Sequence, residues 1–259
     1  MSTNEAADKT ILEGFISVEA ALNAGSRDLH RILVRRDKVG GRRPDRALAW
    51  LTRTATAQGI PVALTDADAL SALTQGNSHG GVVAEAGPRR MVDLAELLPE
   101  ATGENAPFIV MLDGIEDPFN FGYALRALYA AGVDGLVVRP RNWMSAAGTV
   151  ARASAGASER IPTGVAESAE EAAAFFRQRG LTVACAAKDD RAVPLFDADL
   201  TGPLFLLVGG EKRGITRSFV DQADLLLTIP YGRDFRQSLG TTSAASVLGF
   251  EILRQRTTK

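Results

Sequence analysis

From residue 108 onward one pattern recurs: a short apolar run, a turn, then a helical stretch that closes on glycine or a polar loop. The runs are Phe108–Leu112, 135–139, 181–186, 204–208 and 225–229, and helical spacing is read at 119–131, around 145–152, and over 168–179, 216–222 and 239–256. Continuous apolar runs without alternation suit strands buried on both faces, and strands separated by helices pair in parallel. The pattern predicts an α/β domain with a parallel sheet covered on both sides.

The chain before it follows a different plan. Residues 1–10 are polar and expected to be disordered. Over 11–88 a small α/β unit is read: a helix capped at Ser17 and closing at Gly25, a strand at 31–35, a helix from Pro44 to Gln58, a strand at 60–64, a helix capped by Thr65 or Asp66, and a returning strand at 82–84. Gly87-Pro88 breaks this unit. Residues 89–106, with Pro99 and Gly103, read as a linker, and 107–259 form the second domain.

The chain has 259 residues, 46% of them hydrophobic, enough for substantial cores. No basic start with an apolar follow-on marks a secretory leader, and no apolar run reaches the roughly 20 residues of a membrane span, so a cytoplasmic protein is expected. The one cysteine, Cys185, lies in an apolar run and reads as a small core residue. A net charge of −2 does not announce a polyanion binder, yet Arg27 to Arg46 holds eight basic residues against three acidic ones, a local excess of +5. Charge alone leaves two readings open, a solvated face or a phosphate-contacting one.

Three stretches carry candidate chemistry. In the first, Asp117-Pro118-Phe119-Asn120-Phe121-Gly122-Tyr123-Ala124-Leu125-Arg126, Asp117 and Pro118 open a helix that bears an amide and a guanidinium near the carboxyl edge of the predicted sheet. Taken by itself this is a capped helix with a surface arginine. In the second, Val208-Gly209-Gly210-Glu211-Lys212-Arg213-Gly214-Ile215-Thr216, a strand runs into a glycine turn. Ile215 holds the place where a phosphate-cradling loop needs lysine, which argues against an NTPase, and a GxGxxG fingerprint for hydride transfer is also missing. The third runs from Ile229-Pro230-Tyr231-Gly232 through Ser238-Leu239-Gly240-Thr241-Thr242 into a helix of small residues. Such residues permit close approach, to a ligand or to another helix.

In this order and spacing the three stretches, with the intervening Ala153-Ser154-Ala155-Gly156-Ala157-Ser158-Glu159-Arg160, resemble the SpoU, or TrmH-like, branch of the SPOUT RNA 2′-O-ribose methyltransferases. The amino-terminal Gly14-Phe15-Ile16-Ser17-Val18-Glu19-Ala20-Ala21-Leu22 and His79-Gly80-Gly81-Val82-Val83-Ala84 resemble the accessory substrate-binding domain of its rRNA-directed members. The resemblance implies a small N-terminal α/β domain that binds RNA and a C-terminal parallel-sheet domain with a deep trefoil knot. It further implies S-adenosylmethionine as cofactor, a homodimer formed through the C-terminal domain, and RNA as substrate, with rRNA ahead of tRNA.

By the same resemblance Asn120, Arg126, Glu211 and Ser238 match the catalytic positions. Val208, Gly209, Gly210, Gly214, Ile229, Pro230, Ser238, Leu239 and Thr241 are expected around the cofactor. Arg27, Arg31, Arg35, Arg36, Arg42, Arg43 and His79 are expected to contact RNA, and no metal site is expected. The hydroxyl to be methylated is a weak nucleophile, so its proton must be taken or the developing alkoxide stabilised. Both histidines, His30 and His79, fall in the accessory domain, which leaves Arg126 for that task. An arginine stays protonated, so electrostatic stabilisation is the role its chemistry suits best.

The chain departs from the family pattern at one place. The third motif ordinarily reads Ser-Leu-Asn-Val-Ser, whereas here Gly240 replaces the asparagine, and the preceding loop with Arg233, Asp234 and Arg236 is one residue longer. This departure supports an alternative: an RNA-binding or ribosome-assembly protein of the same fold that has lost methyl transfer.

Overall fold

A computed structural model of the protein describes residues 9–39, 45–75, 79–99, 106–140, 146–212 and 214–258. Along the chain the strands are β1 (Thr10–Glu13), β2 (Leu29–Arg35), β3 (Val62–Thr65), β4 (Val82–Ala86), β5 (Phe108–Asp113), β6 (Gly135–Val138), β7 (Thr163–Val165), β8 (Thr182–Ala186), β9 (Val193–Pro194), β10 (Leu204–Gly209) and β11 (Leu225–Thr228). The helices are α1 (Phe15–Ala24), α2 (Arg46–Ala57), α3 (Ala67–Ser71), α4 (Pro118–Ala130), α5 (Ala147–Ala153), α6 (Ala157–Arg160), α7 (Ala169–Arg177), α8 (Arg217–Gln222) and α9 (Thr241–Thr257). The described residues fall into two units, one drawn from Met1–Arg90 and Trp143–Arg160 and the other from Met91–Asn142 and Ile161–Lys259. The division is thus not the single cut expected between 88 and 107, because α5 and α6 group with the amino-terminal unit.

In the first unit the sheet order is β1-β4-β2-β3, antiparallel except for the parallel pair β2 and β3. Successive residues of β2 point to opposite faces. Ile32 and Val34 join Leu12, Val18, Leu22, Leu48 and Leu51 in the main core, while Leu33 packs with Leu70 and Val83 on the other side. Ala151 of α5 belongs to the main core. That helix lies so close to β1 that a Cβ at Gly148 would fall 2.1 Å from the Ile11 carbonyl oxygen, and in the turn after it a Cβ at Gly156 would fall 2.5 Å from the Ala20 Cβ of α1. Helix α1 begins two residues before the expected cap: Gly14 is its N-cap, and Ser17 is buried inside the first turn. Asp45 and Asp66 cap α2 and α3, each carboxylate accepting from a backbone N–H of the first turn.

In the second unit the strands form a seven-stranded sheet in the order β7-β6-β5-β10-β8-β11-β9, every pairing parallel. The central strands β5 and β10 are apolar and buried on both faces, as their unalternating sequences require. Phe176 of α7 stacks on Phe205 of β10 with ring centroids 5.0 Å apart. Cys185 of β8 is fully buried in this core, and burial pushes its thiol up to about 12, consistent with a packing residue. From β5 the chain runs outward through β6 to β7, then crosses to β8 and the edge strand β9 before β10 inserts between β5 and β8 and β11 between β8 and β9. Ligands in such sheets gather beyond the carboxyl ends of the strands where the order reverses.

Candidate active site

At the carboxyl ends of β8, β10 and β11 the second unit holds a cavity of about 430 Å³. Its wall consists of Ala186, Ala187 and Lys188 after β8, the segment Val208 to Glu211 with Gly214 and Ile215 after β10, Leu227 to Tyr231 after β11, and Phe235, Ser238, Leu239, Thr241 and Ala244 on the return into α9. The nine residues expected around a cofactor all line this one space. Glu211 and Ser238 line it too, whereas Asn120 and Arg126 of α4 do not.

The turn after β10 is built by close backbone approach. Gly210 donates its N–H to the Asp113 carbonyl at 2.7 Å and accepts from the Gly214 N–H at 2.9 Å. A Cβ on Gly210 would lie 1.9 Å from the Gly114 carbonyl oxygen, so no other residue fits between β10 and the loop after β5. The return loop is tied at two points. The Tyr231 hydroxyl accepts from the Leu239 N–H at 3.1 Å, and Lys188 Nζ donates to the Arg236 carbonyl at 2.7 Å.

Helix α4 starts as its sequence dictates. Asp117 is the N-cap, its carboxylate accepting from the Asn120 N–H at 2.7 Å, and Pro118 occupies the first turn, where a missing N–H costs nothing. The Asn120 carbonyl accepts from the Thr242 hydroxyl of α9 at 3.3 Å. Arg126 is exposed two turns along and makes no ion pair or hydrogen bond among the described residues. Its guanidinium is available to a ligand.

The residues proposed for RNA contact divide. Arg36 is exposed on the turn after β2, Arg31 is exposed and paired to Glu85 at 2.7 Å, and Arg35 is paired to Asp37 at 2.6 Å. Arg27 and His79 are corrected. The Arg27 guanidinium is buried against Glu159, and His79 is buried with Nδ1 accepting from the Gly81 N–H at 3.1 Å, so both serve the fold rather than an open surface. Arg42 and Arg43 lie outside the described residues.

Sequence reasoning passed over Ala186, Ala187, Lys188, Tyr231, Phe235 and Thr242. The first three follow a correctly expected strand, so the rule that ligands collect beyond strand ends would have selected them. Thr242 reaches α4 through a contact spanning 122 positions, for which the sequence carries no local signal.

The fit to a cofactor can be judged from the wall itself. Apolar faces from Ile215, Leu227, Ile229, Leu239 and Ala244, strand-end backbone, and one carboxylate, Glu211, suit an adenosine joined to a cationic sulfonium. A parallel α/β sheet with a nucleoside-sized cavity beyond the carboxyl ends of its strands defines a nucleotide- or nucleoside-binding domain. Residues 107–250 match the SpoU rRNA Methylase family and residues 11–92 match the RNA 2′-O ribose methyltransferase substrate binding family. The chain belongs to the SpoU rRNA methylase family, the S-adenosylmethionine-dependent RNA 2′-O-methyltransferases.

The 23S rRNA (guanosine-2′-O-)-methyltransferase RlmB of Pseudomonas aeruginosa is 35% identical over 83% of this chain and 86% of its own length. The protein of the same name from Ralstonia nicotianae is 32% identical over 95% of this chain and 96% of its own. Among solved structures, the SpoU methyltransferase AviRb from Streptomyces viridochromogenes, crystallised with AdoMet, has a TM-score of 0.78 at 21% identity, covering 99% of this chain and 96% of that one. That likeness concerns the fold.

Proposed function

We propose that this protein transfers the methyl group of S-adenosylmethionine to the 2′-hydroxyl of a ribose in ribosomal RNA, in the cytoplasm. The observation that carries the reading is the convergence of motifs two and three on one cavity of nucleoside size. When bound, S-adenosylmethionine supplies an electrophilic methyl group. Val208 to Gly210, Ile229, Pro230, Leu239 and Thr241 hold it, and apolar walls keep water from the reacting centre. Arg126 stabilises the alkoxide that develops as the ribose hydroxyl loses its proton, which a fixed positive charge does without itself titrating. Asn120 and Ser238 orient the ribose and the return loop.

Asn120 and Arg126 do not line the cavity of their own chain, which supports a site completed by a second copy. Exposed aromatics on the packed pair α4 and α9, namely Phe119, Tyr123 and Phe250, offer that copy an apolar face. The knotted threading implied by the resemblance belongs to the same reading. In the accessory domain the exposed Arg31 and Arg36 supply phosphate contacts, which position RNA without reading its sequence.

The alternative, an RNA binder without activity, is not favoured, since the cavity is formed despite Gly240 and the four catalytic positions carry the expected residue types. The test is calorimetric titration with S-adenosylmethionine, combined with mapping of ribose methylation in rRNA from a strain lacking the protein. Saturable binding and one missing ribose methyl are expected. An absence of both would return the protein to the binder class.

A further inference from the structure

The return loop from Pro230 to Leu239 is neither helix nor strand, and every residue of it except Leu239 is exposed. It nevertheless supplies part of the cavity wall through Tyr231, Phe235, Ser238 and Leu239. The Tyr231 and Phe235 rings pair with centroids 6.0 Å apart, and Phe235 is 53% exposed, which leaves apolar ring surface free to cover a ligand. Among the described residues one hydrogen bond ties this loop to the rest of the unit: Lys188 Nζ donates to the Arg236 carbonyl at 2.7 Å. The bond from the Leu239 N–H to the Tyr231 hydroxyl joins the two ends of the loop to each other.

We infer that Lys188 is a positioning residue for the cofactor: its ammonium latches the return loop over the cavity and so holds the Tyr231 and Phe235 rings against the bound molecule. A loop with a solvated backbone and few apolar contacts opens locally at little cost. One charge-assisted bond is then enough to shift the fraction that is closed. A ligand that binds the closed form alone has its apparent affinity reduced by that fraction, so the latch is read as affinity. Lys188 is suited to the task because it follows β8, which pairs with β10 on one side and β11 on the other, and the latch is thereby anchored in the sheet. The inference rests on the cavity being the S-adenosylmethionine site and adds what keeps its outer wall in place.

The experiment titrates S-adenosylmethionine into the full-length wild type, Lys188→Met, Lys188→Arg, Phe235→Ala and the double variant Lys188→Met/Phe235→Ala, with thermal melts to confirm folding. Lys188→Met keeps the apolar stem and removes the donor, so it should bind about fivefold more weakly, and Lys188→Arg should recover most of that loss. In the Phe235→Ala background the ring that the latch holds is gone, and Lys188→Met should there cost less than about twofold. An equal cost in both backgrounds would overturn the inference, because the ammonium would then act on the ligand independently of the loop. Trypsin digestion without ligand reads the latch directly: cleavage after Arg233 and Arg236 should be about fivefold faster in Lys188→Met than in the wild type, and equal rates would overturn the latch. If the wild type takes up no S-adenosylmethionine while the digestion rates differ as expected, the functional reading fails and the latch stands.

Discussion

Arg27 and Glu159 stand 132 positions apart and meet as a buried ion pair, with Nε donating to Oε2 at 2.9 Å and Nη2 to Oε1 at 3.2 Å. Their side chains are 1% and 0% exposed. Ser26 Oγ donates to the same carboxylate at 2.6 Å and Arg89 Nη1 approaches it at 3.4 Å, so the charge is surrounded by donors. Two desolvated charges are held only when geometry and hydrogen bonds offset the loss of water. This pair binds α6 into the amino-terminal unit.

Removing one partner strands the other. Arg27→Ala leaves a buried carboxylate short of its main donor and should cost about 3–5 kcal/mol. Urea unfolding should show a lower midpoint for the first unit, whereas Arg36→Ala on the exposed turn should leave it within about 0.5 kcal/mol of wild type.

Acid should act through the same site. Burial pushes the Glu159 carboxyl up, but the Arg27 charge and the hydrogen bonds from Arg27 and Ser26 outweigh it and hold the group below its ordinary value. A carboxyl depressed in the folded state contributes stability above its unfolded pKa of roughly 4.3, and that contribution is lost as pH falls through the folded value. Between about pH 5 and pH 2 the wild type should therefore lose more stability than Glu159→Gln, measured as urea midpoints across that range.

Arg126 carries the chemistry in the proposed reaction. Arg126→Ala should lower methyl transfer by about 10²–10³-fold, the scale of removing one preorganised charge-stabilising group, while S-adenosylmethionine affinity stays close to wild type. Single-turnover assays with rRNA fragments separate the two effects. Unchanged transfer would remove Arg126 from the site.

Salt dependence tests the accessory domain. If Arg36 neutralises one phosphate, Arg36→Ala should weaken RNA binding and lower the slope of log K against log salt by about 0.7–0.9. Arg27 is buried and should contribute no such slope, and filter binding at several salt concentrations with folded Arg27→Lys checks this.

Association through the second unit is tested by charge on its apolar face. Sedimentation should give twice the 27.5 kDa chain mass for the wild type, and Phe250→Glu should shift the population toward the single chain. A desolvated carboxylate in an apolar contact is unfavourable without a partner.

Much of the second unit was legible because its signals are local. Unalternating apolar runs marked β5, β6, β8, β10 and β11, and Asp117-Pro118 marked the start of α4, since caps and propensities act within a turn or two. The short strands β1, β7 and β9 escaped notice, being too brief to establish a period. Glycines at 209, 210 and 214 pointed to a tight turn, but the sequence could not say that the Gly114 carbonyl is what crowds Gly210.

The sequence alone determined the class of fold, the order of the three motifs and the residue types at the cofactor cavity, because strand runs, turn residues and motif spacing are written in consecutive positions. Only the tertiary structure decided that Arg27 and His79 are buried, that α5 and α6 belong with the amino-terminal unit, and that Glu211 accepts from the first backbone N–H of α9. Those outcomes depend on contacts between residues as much as 139 positions apart. There burial and the satisfaction of polar groups, rather than local propensity, choose the partner.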